Sequence, residues 1–390
     1  MKCEKRKIRE LCSVERTSVT PKGGEIYNVF SLPAFDDNMT PEVVDGGQVK
    51  SGKLVVFPNT ILFNKLNVQF RRVWNIGDNV PQNAVSSTEF IPLKPLGSVY
   101  KDYLYYALIS DEVTLAMYGA RRGTSSSQQR IAPDSLFDFE IPCPTFETQK
   151  KIGAILKSID DKIETNKRIN DNLEQQAMAL YRSMFVDTDN SARTTCRADE
   201  FFDISIGKTP PRKEPQWFSD DPNDRVWVSI SDMGSCGTFI DDSAEYLTEE
   251  AVTRHNVKIV PDNTVILSFK LTVGRVAITD GEVTTNEAIA HFKTDRADFT
   301  EYLYCYLKAF NYQTMGSTSS IATAVNSKII KAMPFVIPTD EEIQNFHAFA
   351  GSAFSKIKAL QRENKYLAEL RDTLLPKLMS GEIDVENVKI

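Results

Sequence analysis

The sequence lacks the features that define several classes of protein. No apolar stretch approaches the ~20 residues that a membrane-spanning helix needs. The six cysteines form no Cys-x-x-Cys pair, and with three histidines they offer no paired spacing for structural zinc. The first ten residues, MKCEKRKIRE, carry charge where a secretory signal has an apolar core. We therefore expect a cytoplasmic protein with reduced thiols, no membrane span and no metal site.

Recognisable catalytic motifs are also missing. Gly-Lys-Thr at residues 207–209 resembles the end of a phosphate-binding loop, but such a loop needs glycine at position 202, which is Phe202. Pro210 and Pro211 stand where its helix would begin. The chain has no Gly-x-Gly-x-x-Gly after a strand, no Asp/Asn-Pro-Pro-aromatic tetrad, no His-Glu-x-x-His and no Gly-x-Ser-x-Gly. The chain therefore shows no recognisable catalytic site and no motif for binding a cofactor.

Charge is unevenly distributed along the chain. The net charge is −7, and residues 197–345 hold 14 Lys and Arg against 23 Asp and Glu. Residues 1–148 hold 17 of each kind. A surface for nucleic acid on the second segment would therefore have to be a local basic patch on an acidic body.

The chain repeats itself with a period of about half its length. DYLYYAL at residues 102–108 returns as EYLYCYL at 301–307, and FEIP at 139–142 returns as FVIP at 335–338. PNTILFNK at 58–65 and GTSSS at 123–127 also return, in the same order, as PDNTVILSFK and GSTSS. Such an ordered series predicts two copies of one structural unit.

Each copy predicts a globular part of mixed α/β composition. Short β-branched runs such as KLVVF, TILF, VWVSI, TVILSF and RVAIT indicate strands. The aromatic-rich segments at 102–108 and 301–307 indicate one helix in each copy.

Each copy ends in a long helix with apolar residues spaced alternately by four and three. A helix over residues 149–184 would extend roughly 54 Å, so we expect it to protrude and to pair with its repeat in antiparallel fashion. Adding 194 places Asn170 on Asn364, which predicts a buried asparagine pair that fixes the register. The predicted seam consists of Ile152, Leu156, Ile159, Ile163, Asn170, Leu173, Leu180, Ile357, Asn364, Leu367 and Leu374. The alternative is that each helix packs only on its own domain.

The fold class is therefore α+β, with two mixed α/β domains separated by two long helices that form an antiparallel coiled coil with pseudo-two-fold internal symmetry. The predicted boundaries are a first domain at 1–148, a central helix at 149–186, a linker at 187–196, a second domain at 197–345, a distal helix at 346–380 and a tail at 381–390.

Four loops, in two pairs at corresponding places of the repeat, mix cations with polar side chains. Such loops suit phosphates and base edges, although any one of them could be an ordinary solvated loop. The candidate DNA-binding residues are Lys65, Arg71, Arg72, Arg121, Arg122, Gln128, Lys208, Thr209, Arg212, Lys213, Lys270 and Arg275.

The whole chain resembles the specificity subunit of type I restriction–modification systems. The resemblance is carried by Gly-Lys-Thr-Pro at 207–210, the aromatic pair Trp217-Phe218 and WVSISD at 227–232. It is also carried by IPCPTFETQKKI at 141–152, by its weaker echo IPTDEEIQNF and by the ending LLPKLMSGEI. The first domain departs from the pattern, because its SVTPKGGEIYNVF only partly matches the Gly-x-Thr-Pro opening.

The resemblance implies two target-recognition domains, each of which recognises one half of a bipartite site in double-stranded DNA. The helix pair would set the spacer between the halves. Two methyltransferase subunits with S-adenosylmethionine and two restriction–translocase subunits with ATP and Mg would supply the chemistry of DNA methylation and cleavage, and the methyltransferase subunits much of the phosphate contact. The Gly-Lys-Thr-Pro loop would then present Lys208 and Arg212 to the DNA backbone, or it would cap the domain with Trp217 in the core.

Three other interpretations stay open at the level of sequence. The chain could be a coiled-coil adaptor whose globular domains bind protein, or the specificity chain of a related restriction enzyme. It could also be a stand-alone DNA enzyme, against which the missing cofactor motifs argue.

Overall fold

The computed structural model describes residues 4–37, 39–121, 129–188, 193–315 and 326–386. The chain forms two compact units, of which unit 1 comprises Met1–Lys162 with Tyr366–Ile390 and unit 2 comprises Ile163–Lys365. Each unit thus combines a globular part with portions of two long helices.

Unit 1 contains two sheets and a short strand pair. Its strands are β1 (Lys5–Lys7), β2 (Cys12–Val14), β3 (Ser18–Val19), β4 (Ile26–Phe30), β5 (Glu42–Asp45), β6 (Lys53–Val55), β7 (Ile61–Asn64), β8 (Val73–Asn75), β9 (Ala84–Ser86), β10 (Phe90–Pro95) and β11 (Glu140–Pro142). Its short helices are α1 (Ile8–Leu11), α2 (Leu32–Asp36), α3 (Lys101–Ile109), α4 (Asp111–Gly119) and α5 (Pro133–Phe137). The sheets have the orders β2-β10-β7-β8 and β3-β6-β9-β4-β5, and β1 pairs antiparallel with β11.

The first long helix, α6 (Phe146–Tyr181), starts before the predicted residue 149 and continues into a π-helical turn, Arg182–Val186. The early start has a local cause, because the Thr145 hydroxyl accepts a hydrogen bond from the Thr148 amide at 3.3 Å.

Unit 2 repeats the arrangement of unit 1. Its strands are β12 (Thr194–Arg197), β13 (Asp203–Ile206), β14 (Phe218–Ser219), β15 (Arg225–Val228), β16 (Phe239–Ile240), β17 (Tyr246–Leu247), β18 (Val265–Ser268), β19 (Val276–Thr279), β20 (Thr284–Thr285), β21 (Ile289–Lys293) and β22 (Pro334–Ile337). Its short helices are α7 (Ala198–Phe201), α8 (Asp232–Ser235), α9 (Glu249–Arg254), α10 (Thr300–Ala309) and α11 (Ser327–Lys331). The sheets have the orders β13-β21-β18-β19-β16 and β14-β17-β15-β20, and β12 pairs with β22.

The predicted internal repeat is confirmed by the topology. The order β2-β10-β7-β8 in unit 1 corresponds to β13-β21-β18-β19 in unit 2, and the closing pair β1-β11 corresponds to β12-β22. The two aromatic-rich segments form α3 and α10, as predicted. Each inserts a buried tyrosine whose hydroxyl donates to the last strand, Tyr103 to the Pro142 carbonyl at 2.7 Å and Tyr302 to the Val336 carbonyl at 2.9 Å. The same side chain therefore ties the same helix to the same strand in both units.

The second long helix, α12 (Asp340–Ser380), begins at Asp340 rather than at the predicted residue 346. A capping box explains this start. The Glu342 carboxylate accepts from the Thr339 amide at 2.8 Å, and the Thr339 hydroxyl accepts from the Glu342 amide at 3.2 Å. Among the described residues, no helix is both long and apolar enough to cross a lipid bilayer.

Within each unit the segments of α6 and α12 run antiparallel, as predicted. In unit 1, Ile152 shares a buried cluster with Leu378, while Asp160 further along α6 pairs with the earlier residue Arg371 at 2.8 Å. In unit 2, the Asn166 amide donates to Asn364 at 2.9 Å, while the Tyr181 ring at the end of α6 packs against the earlier residue Phe346.

The predicted pairing of Asn170 with Asn364 is wrong. Asn364 accepts its hydrogen bond from Asn166, which is fully buried and also donates to Glu363 at 2.9 Å. Residues that correspond by the repeat face each other in a parallel pair. In an antiparallel pair the partner of a residue moves backwards as the residue moves forwards, so Asn170 does not lie opposite Asn364. The structure therefore retains an asparagine pair on the seam but draws one member from a different turn.

Candidate nucleic-acid interface

Three loops of unit 2 leave the same edge of one sheet. Strand β13 ends at Ile206, strand β18 ends at Ser268, and strand β21 starts at Ile289. Antiparallel pairing puts Ile206 opposite Ala290 and Ser268 opposite Ile289. The loops at 207–217, 269–275 and 286–288 therefore start side by side, which brings together two of the predicted basic segments.

Gly207 fixes the first of these loops by close approach of backbone to backbone. A β-carbon at this position would lie 2.0 Å from the Thr285 hydroxyl and 2.2 Å from the Asn286 carbonyl. The Lys208 amide donates to the Thr285 carbonyl at 2.9 Å, which holds the loop on its neighbour. The glycine of Gly-Lys-Thr is thus required by packing, not by a nucleotide phosphate.

Arg212 is held by aromatic rings and by a carboxylate. Its guanidinium lies 4.2 Å from the centre of the Phe218 ring and 4.6 Å from that of Trp227. It also donates two hydrogen bonds of 2.8 Å to Glu245. This pairing lowers the pKa of Glu245, so the carboxylate stays ionised and occupies the fork of Arg212. Trp217 is buried and donates to Glu214 at 2.9 Å, so it belongs to the core.

The carboxylate of Glu287 lies close to several of the predicted DNA-binding residues at this edge. The Thr209 hydroxyl donates a hydrogen bond to its carboxylate. Burial disfavours the charged form, but this hydrogen bond and the positive charges of Lys270 and Arg212 outweigh burial and lower the pKa of Glu287. Residues from two predicted loops therefore act on one carboxylate that the sequence analysis did not single out.

The remaining predicted residues of unit 2 divide into exposed and packed side chains. Lys208, Lys213 and Lys270 are exposed to solvent. Arg275 instead donates to the Ile230 carbonyl at 2.5 Å, and its guanidinium fills the space that a side chain at position 234 would take. Arg275 therefore braces the loop, while the three lysines are available to an anion.

Beneath the same edge lies a buried histidine. His291 on β21 has no exposed surface; its Nδ1 lies 3.0 Å from the Ser205 hydroxyl and its Nε2 lies 2.7 Å from the Thr285 hydroxyl. Burial, helped by the charge of Lys293, lowers the pKa of His291 to about 3. The neutral ring links β13 to the residue on which Gly207 packs.

Unit 1 has a matching arrangement at the loop between β7 and β8. The Lys65 ammonium donates to the Thr88 carbonyl at 2.8 Å, and Arg130 donates two hydrogen bonds of 3.0 Å to Glu89. The hydrogen bonds of Arg130, with its charge and that of Lys65, lower the pKa of Glu89. Glu89 precedes β10 as Glu287 precedes the corresponding strand β21. Each unit therefore places one ionised glutamate just before the corresponding strand.

The other predicted cations of unit 1 also have partners. Arg71 pairs with Asp111, and Arg72 donates to both oxygens of Asp36 at 2.7 and 2.6 Å. The Arg121 guanidinium lies 3.2 Å from the centre of the Tyr118 ring. Arg122 and Gln128 lie outside the described residues.

The sequence matches the family model "Type I restriction modification DNA specificity domain" at residues 2–175 and again at 193–368. The chain belongs to this family of DNA specificity subunits. It is 26% identical to the HindI specificity subunit of Haemophilus influenzae, across 78% of this chain and 83% of that one. It is 25% identical to the MjaIX specificity subunit of Methanocaldococcus jannaschii, across 98% and 90%. The fold also matches the crystal structure of the type I S subunit from M. genitalium, with a TM-score of 0.56, 16% identity and 96% coverage of both chains.

The two family matches coincide with the two copies of the repeat, so each unit contains one specificity domain. The seam residues of this specificity chain vary in burial. Those that are buried are Ile152, Leu156, Ile159 and Ile357. Those that are partly buried are Ile163, Asn170, Leu173, Leu180, Asn364, Leu367 and Leu374.

The site residues that sequence reasoning missed are mainly acidic. Glu245 lies 33 residues from Arg212, and Glu89 lies 41 residues from Arg130, so no local pattern links these pairs. One signal was present, since TEFI at 88–91 and NEAI at 286–289 each place a glutamate just before the corresponding strand. Within the described ranges, His, Cys, Asp and Glu form no group of three or more placed to hold a metal ion.

Proposed function

We propose that this chain recognises a bipartite site in double-stranded DNA, and that each unit contacts one half of it through the loops at its sheet edge. The observation that carries the proposal is that both units have an equivalent sheet edge with cation-bearing loops. Both units put a β-hairpin loop with cations beside a strand that begins after a glutamate, although the loop sequences differ. Two domains with the same backbone arrangement but different loop side chains are suited to recognise two half-sites of different sequence.

The chemistry belongs to other subunits in this proposal. Two methyltransferase subunits bind S-adenosylmethionine and dock on the helix pair, and two restriction–translocase subunits use ATP and Mg. The chain itself is non-catalytic, binds no cofactor and acts in the cytoplasm. The helix pair sets the number of base pairs between the half-sites.

Charge supports a division of labour in DNA binding. Several of the arginines at the sheet edges already face carboxylates, and residues 197–345 are acidic overall. We expect the methyltransferase subunits to supply many of the phosphate contacts. The dependence of affinity on salt should then be much steeper for the complex than for this chain alone. Equal slopes and equal affinities would contradict this division.

Methylome sequencing tests the function directly. The chain is expressed with its methyltransferase subunit in a host without related systems, and the control host expresses the methyltransferase alone. The expected result is N6-methyladenine at one split motif, only when this chain is present. If both proteins fold and associate but no motif is methylated, DNA recognition is refuted and a protein adaptor is favoured.

A further inference from the structure

Each unit exposes a large apolar side chain in the loop of corresponding hairpins. Leu271, between β18 and β19, is 98% exposed, and Phe70, between β7 and β8, is 56% exposed. Isolated apolar residues at a surface need no explanation. Two of them in corresponding loops, at the edges that the proposed function assigns to DNA, suggest a shared role.

The loop around Leu271 is held firmly. The Ser268 hydroxyl donates to the Thr272 carbonyl at 2.6 Å and accepts from the Arg275 amide at 3.0 Å. Leu271 itself has a φ of 59°, in the left-handed region that disfavours side chains of its kind. The leucine therefore carries a backbone cost and gains nothing from burial, so the fold of unit 2 does not account for it.

The loop around Phe70 is built in a comparable way. Asn64 closes strand β7 as Ser268 closes β18, and its side chain accepts from the Leu66 amide at 2.9 Å. A 3-10 turn, Val68–Phe70, lies between two residues of positive φ, Asn67 and Arg71. Val68 points into the core, so Phe70 is directed outwards by the same turn.

At least one cation lies beside each apolar side chain. The Arg72 guanidinium lies 4.6 Å from the centre of the Phe70 ring, and Arg71 follows it in the chain. Lys270 precedes Leu271 and is exposed. An apolar tip beside a cation suits a DNA groove, where phosphates border an apolar stack of bases.

We propose that Phe70 and Leu271 are wedges that enter the base stack, one in each half-site, while the neighbouring cations contact phosphate. Unstacking two adjacent base pairs costs a few kcal/mol and is easiest at pyrimidine–purine steps. The wedges would therefore favour half-sites with such a step at the wedged position, without any hydrogen bond to a base. This inference rests on the proposed function and adds the means by which the DNA is deformed.

The test uses the reconstituted complex with its methyltransferase subunits and a duplex that carries the methylated motif. 2-Aminopurine replaces one purine at a time, and its emission rises when its neighbours unstack. The adenine that is methylated is left unlabelled, because methyltransferases rotate their target base out of the helix. Variants are Leu271→Ala, Leu271→Gly and Phe70→Ala, and Leu271→Phe retains a wedge. Val43→Ala is the control, since Val43 is 68% exposed on β5, which belongs to neither hairpin.

The expected result is increased emission at one step in each half-site. Leu271→Ala and Leu271→Gly abolish the signal in one half, Phe70→Ala abolishes it in the other, and each lowers affinity roughly tenfold. Leu271→Phe and Val43→Ala retain both signals. The wedge is refuted if wild type unstacks no step, if the signal survives in Leu271→Gly, or if the variants weaken assembly with the methyltransferase instead. In those cases continued methylation of the same motif would leave the proposed function intact.

Discussion

Gly207 sets the position of the loop that carries Lys208 and Thr209, because its α-carbon lies directly against residues 285 and 286. Gly207→Ala must push these backbones apart, and overpacking of this kind costs roughly 2 kcal/mol or more. We expect the substitution to lower the denaturant midpoint of unfolding. Gly119→Ala is the control, because no atom lies within 4 Å of its added β-carbon. Equal midpoints for the two variants would contradict the close approach.

Glu245 occupies the guanidinium of Arg212, a residue that the sequence analysis predicts to contact DNA. Glu245→Gln weakens the bidentate pair and leaves the guanidinium available to phosphate. Non-specific affinity for duplex DNA should rise, and the slope of log affinity against log salt should steepen by roughly 0.9. Glu250→Gln removes the same charge from the same unit but frees only Arg254, which it meets at 3.6 Å on the surface of α9. The same change in both variants would show that net charge alone is responsible.

His291 makes the stability of unit 2 depend on pH. Its folded pKa of about 3 lies below its ordinary value near 6.5, so only the unfolded chain takes up a proton in between. The contribution of the neutral His291 to the free energy of unfolding is fully present above pH 6.5. It falls as the pH drops towards 3, by up to about 1.4 kcal/mol per pH unit. His291→Gln, whose amide can still meet Ser205 and Thr285, should unfold with a shallower pH dependence between pH 6.5 and 5. Identical slopes in urea titrations of wild type and variant would refute this.

At this scale the sequence identified side chains better than it identified their partners. Lys208 and Lys213 are exposed as a basic loop requires, whereas Arg275 is packed and Arg72 is occupied by Asp36. The sequence around a cation does not show which distant carboxylate will pair with it in the folded chain.

The two long helices share a buried polar contact in their seam. Asn166→Ala removes the donor to Asn364, and the loss should be about 1–2 kcal/mol because the Asn364 carbonyl then lacks that bond. The double variant Asn166→Leu with Asn364→Leu should recover stability, since both polar groups are gone. A double-mutant cycle by chemical unfolding measures the coupling, and strictly additive effects would contradict the contact. Asn170→Ala is the comparison, as Asn170 does not face Asn364.

The existence of both helices followed from the heptad spacing, but their ends did not. The true starts at residues 146 and 340 depend on Thr145 and on the Thr339–Glu342 capping box. The second signal is visible in the sequence as Thr-x-x-Glu in IPTDEEIQNF.

On the scale of the whole chain, the repeat was predictable because both copies preserve the residues that the fold buries. The pairing of the first and last strands of unit 2 was not predictable, because β12 and β22 lie some 140 residues apart in the sequence. Thr194 pairs with Ile337, and Arg197 pairs with Pro334. The predicted domain boundary at residue 197 falls at the end of β12, so a cut there would separate two paired strands.

Exchange of one specificity domain should alter one half of the recognised motif. We expect a chimera that takes residues 194–339 from a relative to fold and to methylate a motif that changes only on one side. The exchange must keep the contacts with α12, such as the Gln361 side chain that accepts from the Phe239 amide at 3.0 Å and donates to its carbonyl at 3.1 Å. Methylome sequencing is the measurement, with a chimera cut at 197 as the comparison. Changes in both halves of the motif would contradict independent recognition.

The close packing of Gly207 against its neighbouring backbone affects how new DNA-sequence specificities could arise. The features that hold this loop are backbone contacts, a missing β-carbon and a buried neutral ring, and none of them uses the exposed side chains at positions 208, 213, 270 and 271. Variation at those four positions therefore leaves these contacts intact. A library randomised there, with Gly207 and His291 kept constant, should yield mostly well-folded proteins and would let selection explore DNA preference alone.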